Sequence, residues 1–348
     1  MHLLQSSFSL FVGGLARSAY PRISEISSLG MVMEQVDTSS LGMVVEQVDW
    51  SHYAFMFPTA IGVATCAITA GIGGAALFAP IFLILFPLLG KDYEISSPAA
   101  AVATAILTES FGFGSGLFGY YKRGLIDYRM ALPFLCVSIP ASALAASSIA
   151  QLLDPLLLKA IYTALMLGLS AYLLSGGTGK EVSAKDSTKS DSDEGLLHSV
   201  VDSAGTRYAY PLEARNTFGA STGLLTAFGG LLTGALGVGI GEVVLPNLLS
   251  RTIPLSIAAA TSTLVVALTA WAAAFFQLKE LSETTAGGIA AVVPLNLVVF
   301  LVPGVIIGGQ VASRLQGRVG QDSLEKVIGS LFGAIGLCFG AIVSKSIF

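Results

Sequence analysis

Two acidic residues stand in stretches that are otherwise apolar. Glu109 lies in Leu107-Thr108-Glu109-Ser110, at the centre of a long hydrophobic run. A charge at the middle of a membrane helix costs at least ~2.5 kcal/mol on insertion scales. Such a residue faces the protein interior or water. Two chemistries fit it: a proton or cation site, or a neutral glutamic acid hydrogen-bonded between helices. Glu242 directly follows the glycines of Gly237-Val238-Gly239-Ile240-Gly241. It reads either as a cap on the free N–H groups of the helix that follows, or as a proton acceptor beside a substrate. Ala76 holds the matching place in the first half of the chain, so the two halves are not equivalent here.

The glycine runs carry the second kind of chemistry. Ala70-Gly71-Ile72-Gly73-Gly74 is followed by Pro80, and Gly237 to Gly241 by Pro246. The two stretches align without a gap: Gly71 with Gly237, Gly73 with Gly239, Pro80 with Pro246. Glycine weakens a helix and proline removes a backbone donor, so each run predicts a structural break inside a membrane segment. Broken backbone at membrane depth is tolerated only against protein or a wet cavity. Glycines also allow close helix packing, but a matched pair of breaks points to a transporter site. Exposed N–H groups and positive half-helix ends there suit an anion. Gly71, Gly73, Gly74, Gly237, Gly239 and Gly241 are the candidate substrate-binding positions, with Thr104 and Thr263 as hydroxyls lining a path. Most of the other hydroxyl and amide side chains in the spans (Thr108, Ser110, Thr261, Ser262, Asn247, Asn296, Gln310) are expected to bond helix to helix or to their own backbone.

These residues must be positioned by membrane helices. Of the 348 residues 53% are hydrophobic and only 11% charged, against the ~25% usual in soluble domains. With a mean hydropathy of +0.77, that composition defines an all-α polytopic membrane protein. The net charge of −4 suggests no nucleic-acid partner. Cys66, Cys136 and Cys338 lie in apolar runs without metal-ligand spacing, and His2, His52 and His198 lie outside the spans, so no metal or cofactor is expected.

In order, residues 1–50 read as a poorly ordered tail in which the decapeptide starting at Ser28 recurs at Ser40. A first membrane half covers 54–175, a flexible polar linker 176–215 and a second half 217–344. Each half holds four hydrophobic segments, about eight in all, and the first segment of each is too long for one span of about 20 residues. It is either one broken helix or a hairpin that dips in and returns. Ala101-Val102-Ala103-Thr104 resembles Ala260-Thr261-Ser262-Thr263, which supports duplication. Lys122, Arg123 and Arg129 place the loop after the second segment in the cytoplasm. Arg314 and Arg318 fall on that same side only if the first segments are hairpins. The charge pattern therefore favours an inverted repeat.

The glycine run with its proline in each half, the Ala-x-x-Thr segment starts, and Tyr120-Tyr121-Lys122-Arg123-Gly124-Leu125-Ile126-Asp127 resemble the sulfite exporter TauE/SafE family of permeases. The resemblance covers about residues 57 to 344 and carries over Gly71, Gly73, Pro80, Gly237, Gly239 and Pro246 as motif positions. The roles of Glu109 and Glu242 come from the residues alone. What the resemblance implies is transport of a small inorganic or organic sulfur anion, such as sulfite or a sulfonate, across a lipid bilayer. An anion channel and a non-transporting scaffold or receptor are the alternatives. An enzyme is not expected, because the spans lack histidine, a His-Glu-x-x-His helix and a Gly-x-Ser-x-Gly elbow.

Overall fold

The computed structural model describes residues 51–149, 154–175, 197–203, 205–284, 292–316 and 321–347. The tail with its repeated decapeptide, most of the linker (176–196) and Arg318 lie outside the described residues. Among the described residues six helices are long and apolar enough to cross a membrane. Four shorter apolar helices make up the two long first segments.

The first long segment is α1 (Met56–Ala70) and α2 (Ala75–Leu89), split at the glycines. α1 ends because Gly71 takes φ 67°, a left-handed conformation that lets its N–H and that of Ile72 bond back to the last carbonyls of the helix. The chain then returns the way it came. The hydroxyl of Tyr53, before α1, donates to the carbonyl of Tyr93, after α2, at 3.3 Å, and His52 stacks on the Tyr93 ring. The segment is thus a helical hairpin. The second long segment repeats the device. α7 (Ala220–Leu236) ends at Gly237 with φ 79°, and α8 (Ile240–Leu249) returns. Asn247 Nδ2 on α8 donates to Thr222 Oγ1 at the start of α7 at 3.4 Å.

Pro80 and Pro246 do not mark the breaks. Both lie inside the returning helices. After Pro80 the helix widens into a π-turn over Ile81–Leu85, which accommodates the missing donor. The glycines alone interrupt the chain.

The spanning helices of the first half are α3 (Pro98–Arg123), α4 (Tyr128–Leu144, continued by a π-turn over Ala145–Ile149) and α5 (Pro155–Leu174). Those of the second half, after the short α6 (Leu212–Asn216), are α9 (Leu255–Thr284), α10 (Leu295–Leu315) and α11 (Gln321–Ile347). α3 and α9 are antiparallel. The amide of Asp127, just past the end of α3, donates to Thr261 near the start of α9, while Ala100 near the start of α3 shares a cluster with Leu278 and Leu281 near the end of α9. α10 ends where α4 begins, because Arg123 donates to the carbonyls of Ser313 and Gln316.

Packing crosses between the halves. α1 lies on α10, α7 lies on α4, α3 lies on α9, and α5 lies on α11. Glycine makes the first two approaches close: a Cβ at Gly304 or Gly308 would stand 2.7 Å from the carbonyl of Phe57 or Ile61, and one at Gly230 2.8 Å from that of Ser138. In lipid, where apolar surface gains little from leaving the solvent, this closeness supplies the packing attraction.

The reading of 176–215 as a flexible linker fails at its C-terminal end. β1 (Leu197–Val201) and β2 (Arg207–Pro211) form an antiparallel pair with His198 opposite Tyr210. Two acid–base pairs dock it: Arg123 with Asp202, and Asp127 with Arg215, each at 2.7 Å. Asp127 also caps α4 and accepts from the Tyr210 hydroxyl at 2.8 Å. Burial alone would push the Asp127 carboxyl up, but the Arg215 guanidinium and the Tyr210 hydroxyl outweigh it and hold it below the usual carboxylate range.

Candidate substrate site where two hairpin tips meet

The helical hairpins enter from opposite ends. α2 returns to the end where α3 starts. The second hairpin opens at the α3–α4 end, where Phe218 and Arg251, which flank it, both lie against the Phe134 ring. Their tips meet between the halves. A Cβ at Gly241 would lie 2.9 Å from the amide nitrogen of Gly73 and 3.0 Å from the carbonyl of Gly71. A Cβ at Gly237 would lie 2.9 Å from Cβ of Ala75. Only glycine allows backbone to meet backbone this closely.

Both acids converge on this contact. The amide of Gly74 donates to Glu109 Oε1 at 2.8 Å. The amide of Gly73 donates to Glu242 Oε1 at 3.2 Å, and that of Gly239 to Glu242 Oε2 at 3.0 Å. Glu242 therefore caps its own helix and reaches across to the tip of the other hairpin. The N–H groups expected to face a substrate anion are filled by the chain's own carboxylates. Glu109 is 2% exposed, and its Oε2 has no hydrogen-bond partner among the described residues. Glu242 is partly exposed.

The structure thus brings Gly71, Gly73, Gly74, Gly237, Gly239, Gly241, Glu109 and Glu242 together. Thr104 and Thr263 are both buried. The Thr104 hydroxyl donates within its own helix to the carbonyl of Ala100, whereas Thr263 Oγ1 has no partner among the described residues. Three hydroxyls that the sequence did not single out for the site support the tips. Ser262 donates to the carbonyl of Gly71, Thr233 accepts from the amide of Ile240, and Tyr162 donates to the carbonyl of Leu236. The place of Thr233, one turn before Gly237, was the available signal for one of them. Among the described residues no three His, Cys, Asp or Glu side chains are grouped as metal ligands would be.

Six helices long and apolar enough to cross a membrane, around two glycine-tipped hairpins, define a multi-pass integral membrane protein. The chain belongs to the sulfite exporter TauE/SafE family, whose family model matches residues 56–339. Comparison with curated proteins and with solved structures gave no match.

Proposed function

We propose that this chain is a secondary transporter of small sulfur anions, of the sulfite or sulfonate type, working through the contact between its two hairpin tips. The observation that carries this reading is the set of N–H groups of Gly73, Gly74 and Gly239, gathered from both hairpins and already engaged with anionic groups. Half-helix ends supply partial positive charge without a buried Lys or Arg. A small anion held by dipoles alone can also leave again.

The two halves are read as an inverted repeat. Antiparallel α3 and α9, the opposed entry of the hairpins and the exchange of packing partners between halves support it. Lys122, Arg123, Arg129, Arg251 and Arg314 cluster at the α3–α4 end, so that end faces the cytoplasm.

Glu109 and Glu242 couple transport to protons. Both acids stand around Gly73, and a Cβ there would meet Glu109 Oε1 at 3.2 Å and Glu242 Oε1 at 3.5 Å. Ionised, they repel an incoming anion; a proton on either removes one charge from the pair. Among the described residues Tyr162 is a further titratable group near them, and its hydroxyl is engaged with Leu236.

Flux into proteoliposomes loaded with sulfite, sulfonates, sulfate or chloride tests the reading. Saturable sulfite or sulfonate movement that is lost in Gly73→Leu and Gly239→Leu, with both variants still inserted, is the expected result. Full flux in both variants places the site elsewhere, and turnover of substrate without net movement makes the protein an enzyme.

A further inference from the structure

The Glu242 carboxylate shows what shape of anion the tips accept. Its two oxygens, fixed on one carbon, take one N–H from each hairpin: Gly73 at 3.2 Å and Gly239 at 3.0 Å. The bond to Gly239 is local, three residues away, and is an ordinary cap. The bond to Gly73 is not local. It spans 169 residues and joins two elements that enter from opposite ends. A second observation points to a ligand at the same place. Glu109 Oε2 is buried beside the tip without a partner among the described residues, although Oε1 is fixed on the amide of Gly74. A proton on Oε2 makes it a donor for one more oxygen.

We infer that Glu242 occupies the seat of the transported anion, and that this seat takes two oxygens on one central atom across Gly73 and Gly239. This rests on the proposed transport reading and extends it to a further ligand class. Small carboxylates, such as formate and acetate, are ligands of the seat once Glu242 has left it. Anions with three oxygens, such as methanesulfonate, bind at least as well, the third oxygen accepting from Glu109 when Oε2 carries a proton. Chloride, a single atom, has no pair of oxygens to set on the two N–H groups. Glu242 and substrate then exclude one another: the anion enters only as the carboxylate swings out, and the carboxylate returns when the seat empties. Glu109 stays in place throughout, held by a spanning helix instead of a hairpin tip.

The test is chemical rescue in the full-length protein in lipid nanodiscs. Thermal unfolding is followed as formate, methanesulfonate or chloride is added at constant ionic strength. In Glu242→Ala, formate and methanesulfonate are expected to stabilise saturably. Half-saturation should fall at a concentration roughly tenfold or more below that for the wild type, as expected if the two N–H groups that bond the carboxylate are set free. Equal stabilisation by chloride, or no gain over the wild type, overturns the inference. If Glu242→Ala does not fold, Glu242→Gln, which keeps the side-chain volume, is read by the same criterion at a smaller gain. Sulfite flux by the wild type is measured alongside. Flux without rescue removes this inference and leaves the transport reading; rescue without flux removes the transport reading and leaves the seat as an anion-binding site that does not transport.

Discussion

Gly241 and Gly73 meet so closely that no side chain fits between them. A Cβ on Gly241 would stand 2.9 Å from the amide nitrogen of Gly73, against backbone that cannot rotate away. We expect Gly241→Ala to keep its membrane insertion and lose most of its flux, because overpacking of about 1–3 kcal/mol falls on the contact between the hairpins. Gly62, around which a Cβ would meet nothing within 4 Å, is the control, and Gly62→Ala should transport normally. Equal flux in the two variants would show that the tip contact is not part of the path.

Glu109→Gln keeps the shape of the side chain and an oxygen to accept from Gly74, but removes the titrating group. Transport by this variant should vary less with pH than transport by the wild type. Proteoliposome flux measured over a range of external pH with methanesulfonate, a strong acid whose own charge is constant, reads this directly. An unchanged pH profile would remove Glu109 from coupling.

Asp127 ties α4, Tyr210 and Arg215 into one cluster. Its carboxyl is held below the ordinary value of about 3.9. A lowered value stabilises the folded state above the unfolded pKa, and that contribution is lost as pH falls through the folded one. Amide exchange of the β1–β2 pair should therefore stay slow at neutral pH and quicken only in strong acid. In Asp127→Asn it should already be faster at neutral pH. Identical exchange in variant and wild type would mean that the acid–base pairs do not hold the strands.

The proposed inverted repeat makes a prediction about sidedness. In a background without Cys66, Cys136 and Cys338, single cysteines at Lys122 and Arg314 should react with an impermeant reagent from one side, and a cysteine at Lys279 from the other. Labelling of positions 122 and 314 from opposite sides would require a parallel repeat.

The parts of this architecture that were legible in the sequence are those with a local signature. The paired glycines, the acid in mid-span and the excess length of each first segment all follow from composition over a few residues. The charge pattern went further and selected hairpins over single crossings. What could not be read was who meets whom. Nothing local in Glu242 says that one of its oxygens belongs to Gly73, because that bond depends on two hairpins arriving from opposite ends. The prolines misled because a π-turn and an ordinary helical turn absorb them, so a residue that breaks helices in water sits inside two of them here. The strands were hidden for a different reason. Arg207-Tyr208-Ala209-Tyr210-Pro211 shows no alternation of apolar and polar residues, and a run of only five residues beside a long polar stretch gives no strand signal of its own; the docking by Arg123 and Asp127 is visible only in the fold.

The exchange of packing partners sets a timetable for biosynthesis. Thr65 on α1 bonds to Gly308 on α10, a partner 243 residues later in the chain. While the ribosome is still working through the interval, the small-residue face of α1 has no helix to rest against, and the first tip has no Gly241 to close on. The first half must therefore wait in the translocon or among lipids in an unfinished form, and is completed only when the second half arrives. For a nascent chain of this design, the last helices made are the ones that decide whether the first ones were placed correctly.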